Sequence, residues 1–143
     1  MPSTKMKNFL SSDIVVEVSP ERFVFKRDGV IKALKTKIYL SDDPKKPKVL
    51  GVGDEIAIAQ PKICIELFKE NNGGLITHYS KAQCLEAFFK QAFSLIMKKF
   101  VMIRPGVVFK NSESLSKILC GYQELILYQA AANGGARECF FED

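Results

Sequence analysis

The side chains able to do chemistry in this sequence are few and far apart. The single histidine, His78, sits beside Tyr79 and would serve proton transfer, but a lone histidine just ahead of a helix start is more often structural. Asp13, Glu17 and Glu21 would form a small acidic cluster at strand ends, able to hold a cation weakly or merely to face solvent. Ser112 and Ser114 have no histidine partner in the pattern to activate a hydroxyl, so they read as helix caps rather than nucleophiles. Gly51-Val52-Gly53 lacks the third glycine and the long following helix of a dinucleotide loop. The four cysteines, Cys64, Cys84, Cys120 and Cys139, form no C-x-x-C pair and each lies in an apolar run, which describes reduced, buried thiols. With one histidine to join them, no metal site is expected. No catalytic constellation emerges, so the chain is expected not to be an enzyme.

The elements that carry these residues belong to one domain. A chain of 143 residues, 47% hydrophobic, suffices for a single core. We read residues 1–12 as a polar tail and residues 13–143 as the domain. No stretch approaches the ~20 apolar residues of a membrane span, and Met1-Pro2-Ser3-Thr4-Lys5 lacks the apolar core of a signal peptide, so a cytoplasmic location is expected. Contact with a membrane surface would rest on Lys5 to Leu10, a segment too short to anchor alone. The formal charge of +5 invites an anionic partner, yet the lysines are spread out. Their densest group, Pro44 to Lys48, reads as a solvated loop, and nucleic-acid binding is not expected.

Local patterns order the elements. Ile14 to Val18 reads as a strand, Ser19-Pro20-Glu21 as a turn, and Arg22 to Lys26 as an alternating strand. Asp28-Gly29 is a strong hairpin signal, and Val30 to Leu40 then makes a third strand, so residues 13–40 form an antiparallel meander. Val49 to Gly53 is a further short strand, Asp54 to Ala59 begins a helical turn, Gln60 to Asn72 stays open between helix and strand, and Asn71-Asn72-Gly73-Gly74 breaks the chain. Ser80 to Gln83 fits a capping box ahead of a helix whose buried stripe is Leu85, Phe88, Phe89, Ala92, Phe93, Ile96 and Met97. An apolar run from Val101 to Phe109 leads, past an Asn111 or Ser112 cap, into a long helix over Asn111 to Ala132. Its stripe is Leu115, Ile118, Leu119, Tyr122, Leu125, Ile126 and Gln129 or Ala130. Gly134-Gly135 stops that helix, and Cys139-Phe140-Phe141 follows as a strand, completing a βαβ unit with a parallel sheet.

Three antiparallel strands followed by α-β-α-β in a mixed α/β sheet is the layout of a ribonuclease-H-like fold, and three segments resemble one half of the actin-like ATPases. Val49-Leu50-Gly51-Val52-Gly53-Asp54-Glu55 resembles V-L-A-V-G-E-E of the MreB branch of that family. Gly74-Leu75-Ile76-Thr77-His78-Tyr79 is similar to its G-V-I-A-D-F, and Ala130 to Glu142 to its A-x-x-A-G-A-R-E-V-x-x-I-E-E. The resemblance covers roughly residues 13–142. It implies the first domain of a rod-shape cytoskeletal protein.

The departures from that family set the functional expectation. Its phosphate loop has the form D-x-G-[TS], whereas the matching residues here are Glu17, Val18, Ser19 and Pro20. Proline has no N–H to donate and serine carries the side chain that glycine avoids, so the phosphate cradle is degenerate. His78 stands where the family has an acid, and the family's second nucleotide-binding half is absent from this sequence. ATP and magnesium are therefore not expected as cofactors. The resemblance implies a non-catalytic binding or scaffold module with a protein partner or a second copy, its surface near Tyr128, Phe140 and Phe141. The alternative is a nucleotide or anion binder without hydrolysis, using Ser19, Arg22 and nearby lysines.

Overall fold

The computed structural model describes residues 13–43, 45–53, 62–68, 81–97 and 104–142. The expected N-terminal tail, the turn at Asp54 to Ala59, the Asn71 to Gly74 break, Ser80 and His78 lie outside these residues. The fold is α/β. Eight strands run as β1 (Ile14–Val18), β2 (Arg22–Arg27), β3 (Val30–Lys35), β4 (Lys37–Ser41), β5 (Val49–Val52), β6 (Lys62–Glu66), β7 (Gly106–Lys110) and β8 (Glu138–Glu142). The helices are α1 (Lys81–Ile96) and α2 (Gln123–Asn133), with a 3-10 turn at Ser112–Leu115.

A five-stranded mixed sheet has the order β3-β2-β1-β7-β8. Its first half is the expected meander, because Ile14, Val16 and Val18 alternate inward along β1 and meet Phe23 and Phe25 of β2. Asp28 and Gly29 both take positive φ, 47° and 80°, the reversed twist that joins β2 to β3 in a two-residue hairpin. Its second half is parallel, with β7 beside β1 and β8 beside β7.

The third strand is shorter than expected. Val30 to Leu40 divides at Thr36, whose N–H donates to Glu21 O at 3.1 Å and whose hydroxyl donates to Pro20 O at 2.6 Å. Its carbonyl accepts from Leu67 N at 2.9 Å. The bond to Glu21 continues the β2–β3 register and the bond from Leu67 begins the β4–β6 register, so the chain changes sheets at Thr36 and β3 ends at Lys35. The next residues form β4, the centre of a separate three-stranded antiparallel sheet of order β5-β4-β6. The region left open between helix and strand is thus a strand over Lys62–Glu66.

Helix α1 buries the expected stripe against the larger sheet: Leu85, Phe88, Phe89, Ala92, Phe93 and Ile96 are all inaccessible, and Met97 packs at its margin. The Phe89 ring lies 5.7 Å from Phe23, 5.6 Å from Phe93 and 5.7 Å from Phe109, so one side chain touches β2, α1 and β7 together.

The long helix expected from Asn111 to Ala132 is interrupted. Cys120 and Gly121 have φ of 54° and 84°, and two successive residues of that hand end helical propagation. What remains is the 3-10 turn, a run of turns and then α2, whose buried face is Leu127, Ala130 and Ala131. Of the expected stripe, Leu115 and Ala130 are buried, whereas Ile118, Tyr122 and Leu125 are exposed. Cys120 is also exposed, against the expectation of a buried thiol, because it sits on this reversal.

Gly135 supplies the positive φ, 119°, at the end of α2. Gly134 has another role. A Cβ there would stand 2.9 Å from Phe89 Cβ, 3.0 Å from Lys90 N and 3.1 Å from Glu86 O, so glycine lets the end of α2 press on the backbone of α1. Asn133 Nδ2 donates to Glu86 Oε1 at 2.7 Å across the same contact. Gly134→Ala is therefore expected to destabilise the fold by about 1–3 kcal/mol, since backbone atoms cannot yield as a flexible side chain does. Urea unfolding measures this, and an unchanged midpoint would contradict the contact.

Candidate functional site

The candidate loop from Glu17 to Pro20 leaves the carboxyl end of β1, next to the carboxyl end of β7. Its polar atoms are engaged within the fold. The Ser19 amide and hydroxyl both donate to Arg22 O, at 3.1 and 2.7 Å, and Arg22 N donates back to Ser19 Oγ at 3.2 Å. Pro20 offers no N–H, and its carbonyl accepts the Thr36 hydroxyl. The Val18 carbonyl accepts from Asn111 Nδ2 at 3.0 Å and from Ser114 Oγ at 3.1 Å. A phosphate cradle needs backbone N–H groups directed outward. Here the turn directs those of Ser19 and Arg22 into its own closure.

Glu17 pairs with Lys26 at 3.1 Å, both side chains about two-fifths exposed, so solvent holds the pair to ~1 kcal/mol or less. The expected acidic cluster does not form. Asp13 and Glu17 are four residues apart on extended chain, roughly 13 Å, and Asp13 instead faces Arg137 Nη2 at 3.7 Å. Among the described residues no group of three metal-ligating side chains converges.

Arg137 fixes the opposite end of the parallel strands. Its N–H donates to Pro105 O at 2.7 Å, and its guanidinium lies between Asp13 and Glu138, with Nη2 at 3.4 Å from the latter. Gly106 makes room for the arrangement, because a Cβ there would meet Asp13 Oδ1 at 2.7 Å.

Two open cavities flank the loop. One, about 350 Å³, lies at the seam of the two sheets and presents Arg22, Lys35 and Lys37 with Glu21 and Glu66. The other, about 410 Å³, lies at the carboxyl ends of β7 and β8, between Lys110, Asn111, Glu113 and Glu142. Carboxyl strand ends are where open α/β sheets bind ligands. The second cavity carries more acid than base, an unfavourable lining for a phosphate. Sequence reasoning missed Asn111 and Ser114 as ties to Val18. The only signal was their polarity next to a buried strand, which it read as a helix cap.

The proposed surface residues separate. Tyr128 is 48% exposed on α2. Phe141 turns toward the helices and stacks on Phe109 at 5.2 Å with 19° between the rings. Phe140, one residue earlier on β8, points to the other sheet face beside Val108. Both phenylalanines are half-buried.

No protein-family model matches this sequence, and no curated protein does. Among the described residues no helix is long and apolar enough to cross a membrane.

Cys139 lies between these phenylalanines and Glu138. Burial, with a smaller contribution from the Glu138 charge, pushes its thiol from the ordinary 9.0 up to about 12. The folded chain holds that proton where the unfolded chain releases it. The associated stability is complete below the ordinary thiol range and is lost as pH rises toward 12. Iodoacetamide at about pH 8 is expected to label exposed Cys120 at least about tenfold faster than Cys139. Equal rates in peptide mapping would contradict the burial of β8.

Proposed function

We propose that this chain is a non-catalytic binding or scaffold module on half of an actin-like, ribonuclease-H-like frame. It is related to MreB-type cytoskeletal proteins and works in cell-shape or filament-associated assembly in the cytoplasm. The strand order β3-β2-β1-β7-β8, with only β2 reversed, supports the frame. The segments Val49 to Gly53 and Ala130 to Glu142, which carry the resemblance, fall on β5 and on the α2–β8 connection.

One observation carries the binding role. β1, β7 and β8 are mutually parallel, and parallel strands are normally covered on both faces. The helices pack on the face of Val16, Phe25 and Phe109. The opposite face bears Val15, Val24 and Phe140, each partly buried, around the fully buried Val108, between the Glu17–Lys26 pair and Lys110. A protein partner or a second copy would be met by the partly exposed residues of that face. The turn closure at Ser19 and the missing donor at Pro20 support the absence of ATP chemistry. Calorimetric titration with ATP and magnesium is expected to be flat, and saturable heat would overturn this reading.

The basic side of the seam cavity favours a second reading, residual anion binding by Arg22 with Lys35 and Lys37. On that reading inorganic phosphate raises the thermal midpoint and Arg22→Ser abolishes the rise. A midpoint unmoved by millimolar phosphate removes it.

A further inference from the structure

The contact between the two helices is built on a chemically reactive dipeptide. An asparagine followed by glycine is prone to attack on its side-chain amide by the next backbone nitrogen, because glycine has no Cβ to hinder the approach and reaches the required angles freely. Asn133-Gly134 is such a pair, the last residue of α2 and its cap. The contact uses both residues. A Cβ at Gly134 would collide with α1, and Asn133 Nδ2 donates to Glu86 Oε1 at 2.7 Å.

We propose that Asn133 is a site of self-catalysed deamidation, held in check while α2 is docked and released when its last turn opens. In the first step Gly134 N bonds to Asn133 Cγ and the Cγ–Nδ2 bond breaks. Nδ2 leaves as ammonia with the proton given up by the Gly134 amide, and a cyclic imide remains. Water then opens the ring. Breaking the new bond to Cγ gives aspartate, and breaking the original backbone C–N bond gives isoaspartate. Nothing is oxidised or reduced, and water is the only co-reactant.

The folded chain restrains both reacting groups. Gly134 N–H donates to Ala130 O at 2.9 Å, and the residue keeps helical angles, φ −81° and ψ −4°. The Asn133 amide is turned onto α1 by its bond to Glu86. Attack requires both bonds to break and Asn133 to leave its helical conformation, so it awaits local opening of α2. Asn133 is exposed, so water is at hand for the second step.

The products do not fit the same seat. Asparagine donates where Glu86 accepts, whereas aspartate only accepts and sets a second carboxylate against the first. Isoaspartate also inserts a methylene into the backbone, displacing Gly134 from the narrow place beside Phe89 Cβ, Lys90 N and Glu86 O. A transient opening of α2 is thereby fixed as a lasting loss of its contact with α1.

Peptide mapping by mass spectrometry, with isoaspartate scored separately, follows Asn133 in mildly alkaline buffer. The native chain is expected to deamidate there at least about tenfold more slowly than the same chain in urea, where Asn72-Gly73 serves as the internal standard for the unprotected dipeptide. Asn133→Asp is expected to lower the thermal midpoint, and Glu86→Gln added to it to recover most of the loss. Equal rates with and without urea, no reaction in urea, or an Asn133→Asp chain as stable as the native one overturns the proposal. If Asn133→Asp does not fold, the comparison of rates in the native chain decides alone.

Discussion

The packing of Phe89 against the sheet is the contact on which the other elements depend. Its ring meets Phe23 on β2 and Phe109 on β7, while its Cβ lies under the glycine that ends α2. From Phe109 the aromatic contact passes to Phe141 on β8. One residue thus registers both helices on three strands. Removing a buried phenylalanine costs about 3–5 kcal/mol in general, a large part of the ~5–15 kcal/mol by which domains are stable. The tight approach of Gly134 explains why α2, only eleven residues long with three buried side chains, holds its place. It is seated on α1 through backbone contact as well as through its own apolar face.

That arrangement puts the helices on one side, and the functional reading follows from what is left on the other. The face opposite the helices, with Val108 fully buried at its centre, is neither a clean apolar patch nor a charged one. Val15, Val108 and Phe140 form a row across β1, β7 and β8, and the next row carries Glu17, Lys110 and Glu142. Apolar residues with flanking charges of both signs favour an oriented contact over indiscriminate association. The same geometry makes β8 a strand with two environments, Phe141 stacked in the helix layer and Phe140 on the opposite face beside Val108.

The turn after β1 commits its polar groups to ties within the fold. Ser19 closes the turn, Pro20 receives Thr36, and Val18 receives Asn111 and Ser114. These bonds tie β1 to the 3-10 turn after β7 and to the start of the smaller sheet. A loop that cradled phosphate would have to leave several of the same groups directed outward. Structural ties and ligand donation compete for one short set of backbone atoms, and here the ties hold them.

What the sequence by itself determined was local. The alternation of Ile14, Val16 and Val18, the Asp28-Gly29 reversal and the stripe from Leu85 to Ile96 each depend on residues within a few positions of one another, and each element stands where the pattern places it. Tertiary structure decided the rest. The break at Thr36 was illegible because its partners, Pro20, Glu21 and Leu67, are remote in sequence, and because alternation reads alike in either sheet. The loss of the long helix turned on Cys120, a residue with no intrinsic preference for positive φ, which stands beside Gly121 between the buried Leu115 and Leu127. Likewise Asp13, Glu17 and Glu21 look like a cluster in one dimension, and extended backbone keeps them apart in three. Periodicity reports which side of an element is apolar. Which elements share that side depends on contacts between distant residues that no short window contains.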